Sequence, residues 1–175
     1  LPEEEPEWWD EIEETAVHIA DGDAEVVKIK DGELGKGAFG VVYKSTYKDQ
    51  TVAMKELHLP TLNKKEKKSF IKEVNVLAKL GKHDNLITLH GYRIKPPAIV
   101  MEYVELGNLQ YLLHECEDEK VEANMYDVRI KKKIAFGIVC GLKQMHLFEM
   151  VHGDIKSANG KFMLLFYNIS LVLFF

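Results

Sequence analysis

Three glycines, Gly35, Gly37 and Gly40, follow the spacing G-x-G-x-x-G in this 175-residue chain, and Val42 extends the run to G-x-G-x-x-G-x-V. A glycine-rich turn lets backbone N–H groups approach phosphate oxygens without a Cβ atom in the way. Alone the motif is weak, because three glycines at this spacing arise by chance in roughly one chain of this length in twenty. Its meaning depends on the elements around it.

The glycine run lies within a stretch that is typical of β-strands. From residue 25 to residue 57, short runs rich in Val, Tyr and Thr are separated by DG and KDQ turns, which predicts three antiparallel strands. A dinucleotide-binding fingerprint needs its last glycine to open a helix, whereas here VVYKSTY continues as a strand. The sequence therefore excludes a Rossmann-type site.

A lysine and a glutamate downstream could form an ion pair. Lys55 ends the run VAMK in the third predicted strand. A lone strand lysine is normally solvated, but Glu73 lies in the following predicted helix beside Phe70 and Val74, on the side expected to face the sheet. A carboxylate facing a core is costly unless it meets a cation. Glu73 is therefore the predicted partner of Lys55.

The third chemical motif is VHGDIKSAN, residues 151–159, which contains D-x-K-x-x-N after a histidine. By ordinary residue frequencies this pattern arises by chance in well below about one sequence in a hundred. It follows the glycine run and the lysine in order, so the three motifs together are a strong pattern.

The remaining elements complete an α+β chain. A lysine-rich helix that Gly81 would close is followed by two strand-like runs, split by the Pro96-Pro97 pair, which predicts a loop there. A short helical segment and a long amphipathic helix from about Asp127 to Leu147 come next. Apolar residues recur on one face of that helix at Ile130, Ile134, Ile138, Leu142 and Met145.

From about residue 26 to residue 159 the chain resembles the protein kinase family, whose signature is a G-x-G-x-x-G-x-V loop, a V-A-I-K lysine, a helix glutamate and an H-R-D-x-K-x-x-N loop. The wording HGDIKSAN and HGYRIKPPAIVMEYVELGNL looks most like the tyrosine-kinase-like group, a set of mostly Ser/Thr enzymes. The resemblance implies a five-stranded antiparallel N-lobe with one helix, then the first helices and the catalytic loop of an incomplete helical C-lobe.

The resemblance also implies site residues. In kinases the glycine loop folds over the phosphates of ATP, the strand lysine holds the α- and β-phosphates, and the helix glutamate holds that lysine. The positions matching ATP-binding residues are Leu34, Gly35, Gly37, Gly40, Val42, Ala53, Lys55, Glu73, Met101, Glu102 and Val104. Leu34, Val42 and Ala53 would contact the adenine, Met101 would be the gatekeeper, and Glu102 to Val104 the hinge.

By the same resemblance, Asp154 would accept the proton of the substrate hydroxyl, Lys156 would stabilise the transferring phosphoryl group, and Asn159 would hold Mg²⁺. Lys156 favours Ser/Thr specificity. Gly153 departs from the family, because most kinases carry there an arginine that pairs with an activation-loop phosphate. Control by that phosphorylation is therefore not expected, and loss of activity is the alternative interpretation.

We expect four parts: an acidic leader at 1–24, an ATP-binding N-lobe at 25–104, the start of a C-lobe at 105–159, and an apolar non-kinase tail at 160–175. The leader is either solvated or docked by its aromatic residues. No Asp-Phe-Gly motif follows Asn159, so we expect a truncated, inactive fragment of a Ser/Thr kinase. The alternative is a non-catalytic ATP-binding or docking module.

The tail and the composition limit the partners. Gly160-Lys161-Phe162 can be encoded through GTAAGT, a splice-donor sequence, so one hypothesis is that the tail is translated intron. Residues 162–175 are shorter than the roughly 18 to 20 residues of a membrane span, and a membrane partner is not expected.

A net charge of −5 gives no reason to expect nucleic acid. With no signal peptide and only Cys116 and Cys140, a cytoplasmic protein acting with ATP on a protein substrate is expected.

Overall fold

The computed structural model describes residues 9–19, 25–37, 40–57, 63–105, 108–115, 117, 127–153, 155–157, 160–165 and 168–173. The chain forms two compact units. The first comprises residues 1–81 and 88–103, and the second comprises residues 82–87 and 104–175.

The first unit contains a five-stranded sheet in the order β1-β2-β3-β5-β4, with every neighbouring pair antiparallel. Its strands are β1 (Val27–Gly37), β2 (Gly40–Tyr47), β3 (Gln50–Leu57), β4 (Leu89–Ile94) and β5 (Pro97–Glu102). Lys48 and Asp49 both take positive φ values between β2 and β3, which is the backbone of a tight hairpin turn that matches the strand twist. The predicted five antiparallel strands are confirmed. Pro97, predicted to lie in a loop, instead begins β5.

One long helix, α1 (Lys64–Leu80), accompanies this sheet, as predicted. The Asn63 side chain accepts hydrogen bonds from the N–H groups of Lys65 and Glu66, both at 3.0 Å, and Glu66 accepts one from the Asn63 N–H at 2.8 Å. This capping box satisfies N–H groups that the first turn leaves without partners. The helix ends at Gly81, whose N–H donates to the Leu77 carbonyl. Its buried face consists of Phe70, Ile71, Val74, Leu77 and Leu80.

The core of the first unit is built from alternate residues of the central strands. Val52 and Met54 of β3 are fully buried with Ala98 and Val100 of β5. Met54 lies directly opposite Val100 in the ladder, so both side chains point to the same side of the sheet. Ile19, Val26 and Tyr47 complete the cluster. The inclusion of Ile19 means that a residue before the first strand belongs to the core.

Residues 9–19 are therefore docked rather than solvated, although the sequence left both interpretations open. Ile12, Ala16 and Ile19 are buried, and Ile19 is 4% exposed. The Lys95 ammonium lies 5.9 Å from the centre of the Trp9 ring, and backbone hydrogen bonds join residues 17 and 19 to Tyr92. The acidic side chains of this stretch are exposed, so its composition is typical of a solvated segment although Ile12, Ala16 and Ile19 are buried.

The second unit contains the helices α2 (Leu109–His114) and α3 (Val128–Leu147). The Asp127 side chain caps α3 by accepting the Arg129 N–H at 2.7 Å, so the predicted start at Asp127 and end at Leu147 agree with the structure. The five predicted apolar positions of α3 are all buried or half-buried.

Residues after Asn159 form an antiparallel hairpin of β6 (Gly160–Leu165) and β7 (Asn168–Leu173), and β7 lies against α3. The sequence predicts an apolar tail at residues 160–175 and no strand there. An apolar run rich in Phe, Ile, Leu and Val favours strands. Pairing of the two strands gives hydrogen-bond partners to backbone N–H and C=O groups that would otherwise be buried without partners. Within the described part of the chain, no helix combines the length and apolar character that a membrane crossing requires.

Candidate active site

A cross-strand row brings three of the predicted site residues together. Gly35 of β1 lies opposite Val42 of β2, and Val42 lies opposite Lys55 of β3. Residues directly opposite in antiparallel strands share a face, with Cβ atoms about 5 Å apart. Lys55 is in turn opposite Ile99 of β5. The row places the first glycine of the motif and the lysine on one side of the sheet.

A second row lies two residues along on the same side. Ala53 is opposite Met101 of β5, and side chains two residues apart in a strand point to the same face. Met101 is 1% exposed and Ala53 is also buried. The two rows form a sheet face, called the site face here, that contains Gly35, Val42, Ala53, Lys55 and Met101.

Lys55 and Glu73 form an ion pair on the site face. The Lys55 Nζ donates to both carboxylate oxygens of Glu73, each at 2.7 Å, and the two side chains are 18% and 16% exposed. The pair joins β3 to α1. Because both groups are largely shielded from water, removing one would leave the other as a poorly solvated charge.

The glycines of the motif differ in their surroundings. A Cβ atom at Gly40 would lie 2.3 Å from the Glu56 carbonyl oxygen, whereas one at Gly35 would meet no atom of the described residues within 4 Å. Gly40 is therefore required by the close approach of β2 to β3. Gly35 leaves open space beside the site face, which suits a bulky ligand. The sequence assigns one role to all the glycines, and the structure separates them.

The predicted hinge begins at Glu102, the last residue of β5. The Glu102 N–H donates to the Thr88 carbonyl at 2.9 Å, and a Glu102 carboxylate oxygen lies 3.4 Å from the Thr88 N–H, so this side chain turns toward β4. Val104 is half-buried and belongs to the second unit, and Leu34 is exposed on β1.

Sequence reasoning missed two residues of the site face. Ile99 lies opposite Lys55, and Lys44 lies opposite Ala53 with its Nζ 4.7 Å from the centre of the Tyr103 ring. The alternation in the run AIVMEYV could have identified Ile99, since it is two residues before Met101. No local signal identifies Lys44, because its neighbour Tyr103 is distant in sequence.

The catalytic-loop residues are less fully described. Asp154 and Asn159 lie outside the described residues, so their predicted roles stay predictions. Lys156 is exposed. Gly153 has φ of 77°, in the left-handed region where a residue with a side chain is strained by about 1 kcal/mol or more. Glycine in place of the usual arginine therefore fits the backbone at this position.

His90 on β4, near Glu102, should make the first unit sensitive to acid. Burial lowers the pKa of His90 below its ordinary value of 6.5, and the Glu102 carboxylate offsets part of that effect. The unfolded chain then takes up a proton near pH 6.5 that the folded chain takes up only at lower pH. We expect the free energy of unfolding to fall as the pH drops from about 6.5 through the folded-state pKa.

Urea unfolding at several pH values tests this expectation. His90→Gln should make the loss of stability over that interval shallower. An identical pH profile for wild type and His90→Gln would contradict the assignment.

Comparison with known proteins gives the family. Residues 28–162 match a family model described as protein tyrosine and serine/threonine kinase. The chain belongs to the protein kinase family. The match includes the site face, α1 and the catalytic loop, and it confirms the resemblance seen in the motifs.

Relatives of this kinase chain carry related names. It is 37% identical over 131 residues to a probable serine/threonine-protein kinase of Dictyostelium discoideum, covering 74% of the chain and 10% of the relative. It is 38% identical over 135 residues to a probable serine/threonine-protein kinase of Arabidopsis thaliana, covering 72% and 34%. A probable inactive leucine-rich repeat receptor kinase of Oryza sativa is 36% identical over 135 residues, covering 72% and 11%. The chain thus spans between a tenth and about a third of the length of these relatives.

Protein kinases use ATP with Mg²⁺. The described residues include groups of the kind that bind a nucleotide phosphate. The site face offers a cation held in a fixed position and open space at Gly35. Among the described residues, no cluster of three or more His, Cys, Asp or Glu could hold a metal ion. The predicted metal ligand Asn159 is outside them.

Proposed function

We propose that this chain provides the ATP-binding lobe and the beginning of the catalytic loop of a protein kinase that phosphorylates Ser and Thr hydroxyls of proteins. The observation that carries the proposal is the Lys55–Glu73 pair on the site face. A partly buried lysine whose position is fixed by two hydrogen bonds is suited to bind phosphate oxygens, because little freedom remains to be lost when the ligand arrives.

The roles proposed for the site residues come from the kinase resemblance, and the placement of Val42, Ala53 and Lys55 on the site face supports them. Lys55 would bind the α- and β-phosphates beneath the loop formed by Gly35, Gly37 and Gly40. The adenine would lie against apolar atoms of Leu34, Val42 and Ala53, with Met101 limiting the depth of the pocket. The backbone of Glu102 and Val104 would bind the adenine edge. Polar groups at one end and apolar groups at the other would orient the nucleotide.

The catalytic loop would act on the protein substrate. Asp154 would accept the proton of the attacking hydroxyl, and Lys156 would neutralise charge that develops on the transferring phosphoryl group. Bound Mg²⁺, held by Asn159, would supply further neutralisation of the β- and γ-phosphates. Lys156 and the printed names of the relatives support Ser/Thr specificity.

Phosphoryl transfer also needs a metal-binding aspartate of the Asp-Phe-Gly type, and none follows Asn159 in the 175 residues. We therefore expect residues 1–175 by themselves to bind ATP without completing the transfer.

A non-catalytic role is the second candidate. One relative is named a probable inactive receptor kinase, and Gly153 replaces the arginine that many active kinases carry in the catalytic loop. In this role the chain would bind ATP, or another protein, and transfer nothing even within a longer protein.

Thermal unfolding of residues 1–175 with ATP, in the presence and absence of Mg²⁺, tests the proposal. Saturating ATP should raise the melting temperature, since a ligand at 100 times its Kd stabilises a fold by about 2.7 kcal/mol. The same samples are assayed for phosphorylation of a generic protein substrate, with Asp154→Asn as control. A stable fold with no response to ATP would overturn the proposal. Phosphorylation that disappears in Asp154→Asn would refute the expected inactivity of residues 1–175 and the non-catalytic alternative.

A further inference from the structure

Residues 9–19, which precede β1, are called the N-terminal segment here, and one end of this segment pairs with the edge strand β4. The Ile19 N–H donates to the Tyr92 carbonyl at 2.8 Å, and the Tyr92 N–H donates to the Val17 carbonyl at 2.9 Å. His18 lies opposite Tyr92 in a parallel bridge, and their ring centres are 5.2 Å apart. The segment thus extends the sheet at the strand that would otherwise form its edge.

The other end of the segment is bound to α1 by one side chain. Asn75 Oδ1 accepts the Glu13 N–H at 2.8 Å, and Asn75 Nδ2 donates to the Glu11 carbonyl at 2.9 Å. The amide of Asn75 therefore pairs with the segment backbone much as a strand would. Ile12 is buried between these contacts and Ala16 just after them. The segment joins β4 to α1 through contacts on both.

Gly91 of β4 makes room for the segment. A Cβ atom at this position would lie 2.7 Å from the Val17 carbonyl oxygen and 2.9 Å from two side-chain carbons of Ile19. Contacts this short are not tolerated, and the φ of 159° at Gly91 is strained for any side chain, so a larger residue would displace the segment or distort β4. Gly91 thus offers a way to displace the segment without altering the segment or Asn75.

Asn75 and Glu73 lie on opposite sides of the buried stripe of α1. Successive residues of an α-helix are about 100° apart, so these two side chains are separated by about 200° around the axis. Val74, which is fully buried, lies between them. Glu73 is held by Lys55 at one edge of the stripe, and Asn75 is held by the segment at the other. A rotation of α1 that withdraws Glu73 from Lys55 must also displace Asn75.

We infer that Asn75 is a positioning residue for the Lys55–Glu73 pair, and that the N-terminal segment holds α1 in the orientation that forms this pair. Asn75 touches neither the pair nor a reacting group, so it acts through Glu73. The inference rests on the proposed function, since the pair matters for ATP binding only if Lys55 binds phosphate. Release of the segment would weaken nucleotide binding from a distance.

The first test is a double-mutant cycle on ATP affinity, measured by calorimetry with residues 1–175. Asn75→Leu removes both hydrogen bonds to the segment and should weaken ATP binding by about fivefold, a typical effect for losing such bonds. In a Glu73→Gln background the same change should have no further effect, because the group through which it acts is already lost. Lys72→Leu, at an exposed position of α1, is the matched control and should leave the affinity unchanged.

Gly91→Ala is the second variant, and it covers the case in which Asn75→Leu fails to fold. It should weaken ATP binding to a similar degree while Asn75 remains intact. The two tryptophans of the chain, Trp8 and Trp9, both precede the sheet, so quenching of their fluorescence by acrylamide reports release of the segment. Both variants should increase this quenching.

Hydrogen exchange of the α1 amides near Glu73 is measured without nucleotide. This experiment separates the positioning role of Asn75 from the proposed function. If wild type does not bind ATP, the proposed function fails, and exchange alone decides the positioning role: faster exchange in Asn75→Leu and Gly91→Ala supports it. Release of the segment with unchanged exchange overturns the inference. Equal effects of Asn75→Leu on ATP affinity with Glu73 and with Gln at position 73 also overturn it, because Asn75 would then stabilise the fold without acting through the pair.

Discussion

Lys55→Met should reduce the affinity of the chain for ATP by a factor of about 100, which corresponds to roughly 3 kcal/mol for truncating one partner of a shielded charge pair. Two effects act in the same direction. The phosphates lose the cation that would bind them, and the Glu73 carboxylate, now without the partner it has at 2.7 Å, repels them. In the full-length protein, phosphorylation of substrate should fall at least as far. Calorimetric titration with ATP and a substrate-phosphorylation assay measure the two effects.

Lys72→Met makes the same chemical change at an exposed position of α1 and should leave ATP affinity unchanged. A charge exchange, Lys55→Glu with Glu73→Lys, should recover much of the thermal stability without recovering ATP affinity, because the carboxylate then occupies the strand position facing the phosphates. If Lys55→Met binds ATP as wild type does, the site face is not the nucleotide site.

Gly40→Ala should lower the free energy of unfolding by about 2 to 3 kcal/mol, the range for forcing an extra carbon into a packed site. The added Cβ would lie 2.3 Å from the Glu56 carbonyl oxygen and 3.1 Å from the Leu57 Cα, so β2 and β3 would have to separate. These atoms are backbone and cannot rotate away. Urea unfolding followed by circular dichroism measures the change.

Gly35→Ala is the matched control, because its Cβ would meet no atom of the described residues within 4 Å, and its effect on stability should stay within about 0.5 kcal/mol. Gly35→Ala should nevertheless weaken ATP binding, because it places a methyl group where we propose that the nucleotide lies. Equal losses of stability in the two variants would show that the distinction between the glycines is wrong.

The pairing of Lys55 with Glu73 is an example of how far local reasoning reaches. Lys55 follows the apolar residues of a predicted strand, and Glu73 lies beside Phe70 and Val74 on a predicted helix. A carboxylate at the edge of a buried stripe needs a cation, and the strand supplies one. The charges of the two groups therefore predict the ion pair that the structure shows, although the sequence does not give the distance between β3 and α1.

The docking of the N-terminal segment shows where such reasoning stops. Residues 11–14 read Glu-Ile-Glu-Glu, which is typical of a solvated stretch, and nothing within the segment indicates Asn75 or Tyr92 as partners. Those partners lie 62 or more residues away in sequence. Their hydrogen bonds use the segment backbone, and every residue has the same backbone groups, so the side chains give no sign of them.

The amino-acid sequence by itself determined the kinase family, the α+β class, the C-terminal end of α1, both ends of α3 and the Lys55–Glu73 pair. Hydrophobic periodicity, helix capping and charge pairing depend on residues close together or on strong chemical needs. Only the tertiary structure decided which glycine is needed for packing, which residues share the site face, and that the N-terminal segment binds α1 through Asn75. These features depend on strand register and on the distance between backbones that meet only in the folded chain. A shift of one residue in register would alter them while leaving every local pattern unchanged.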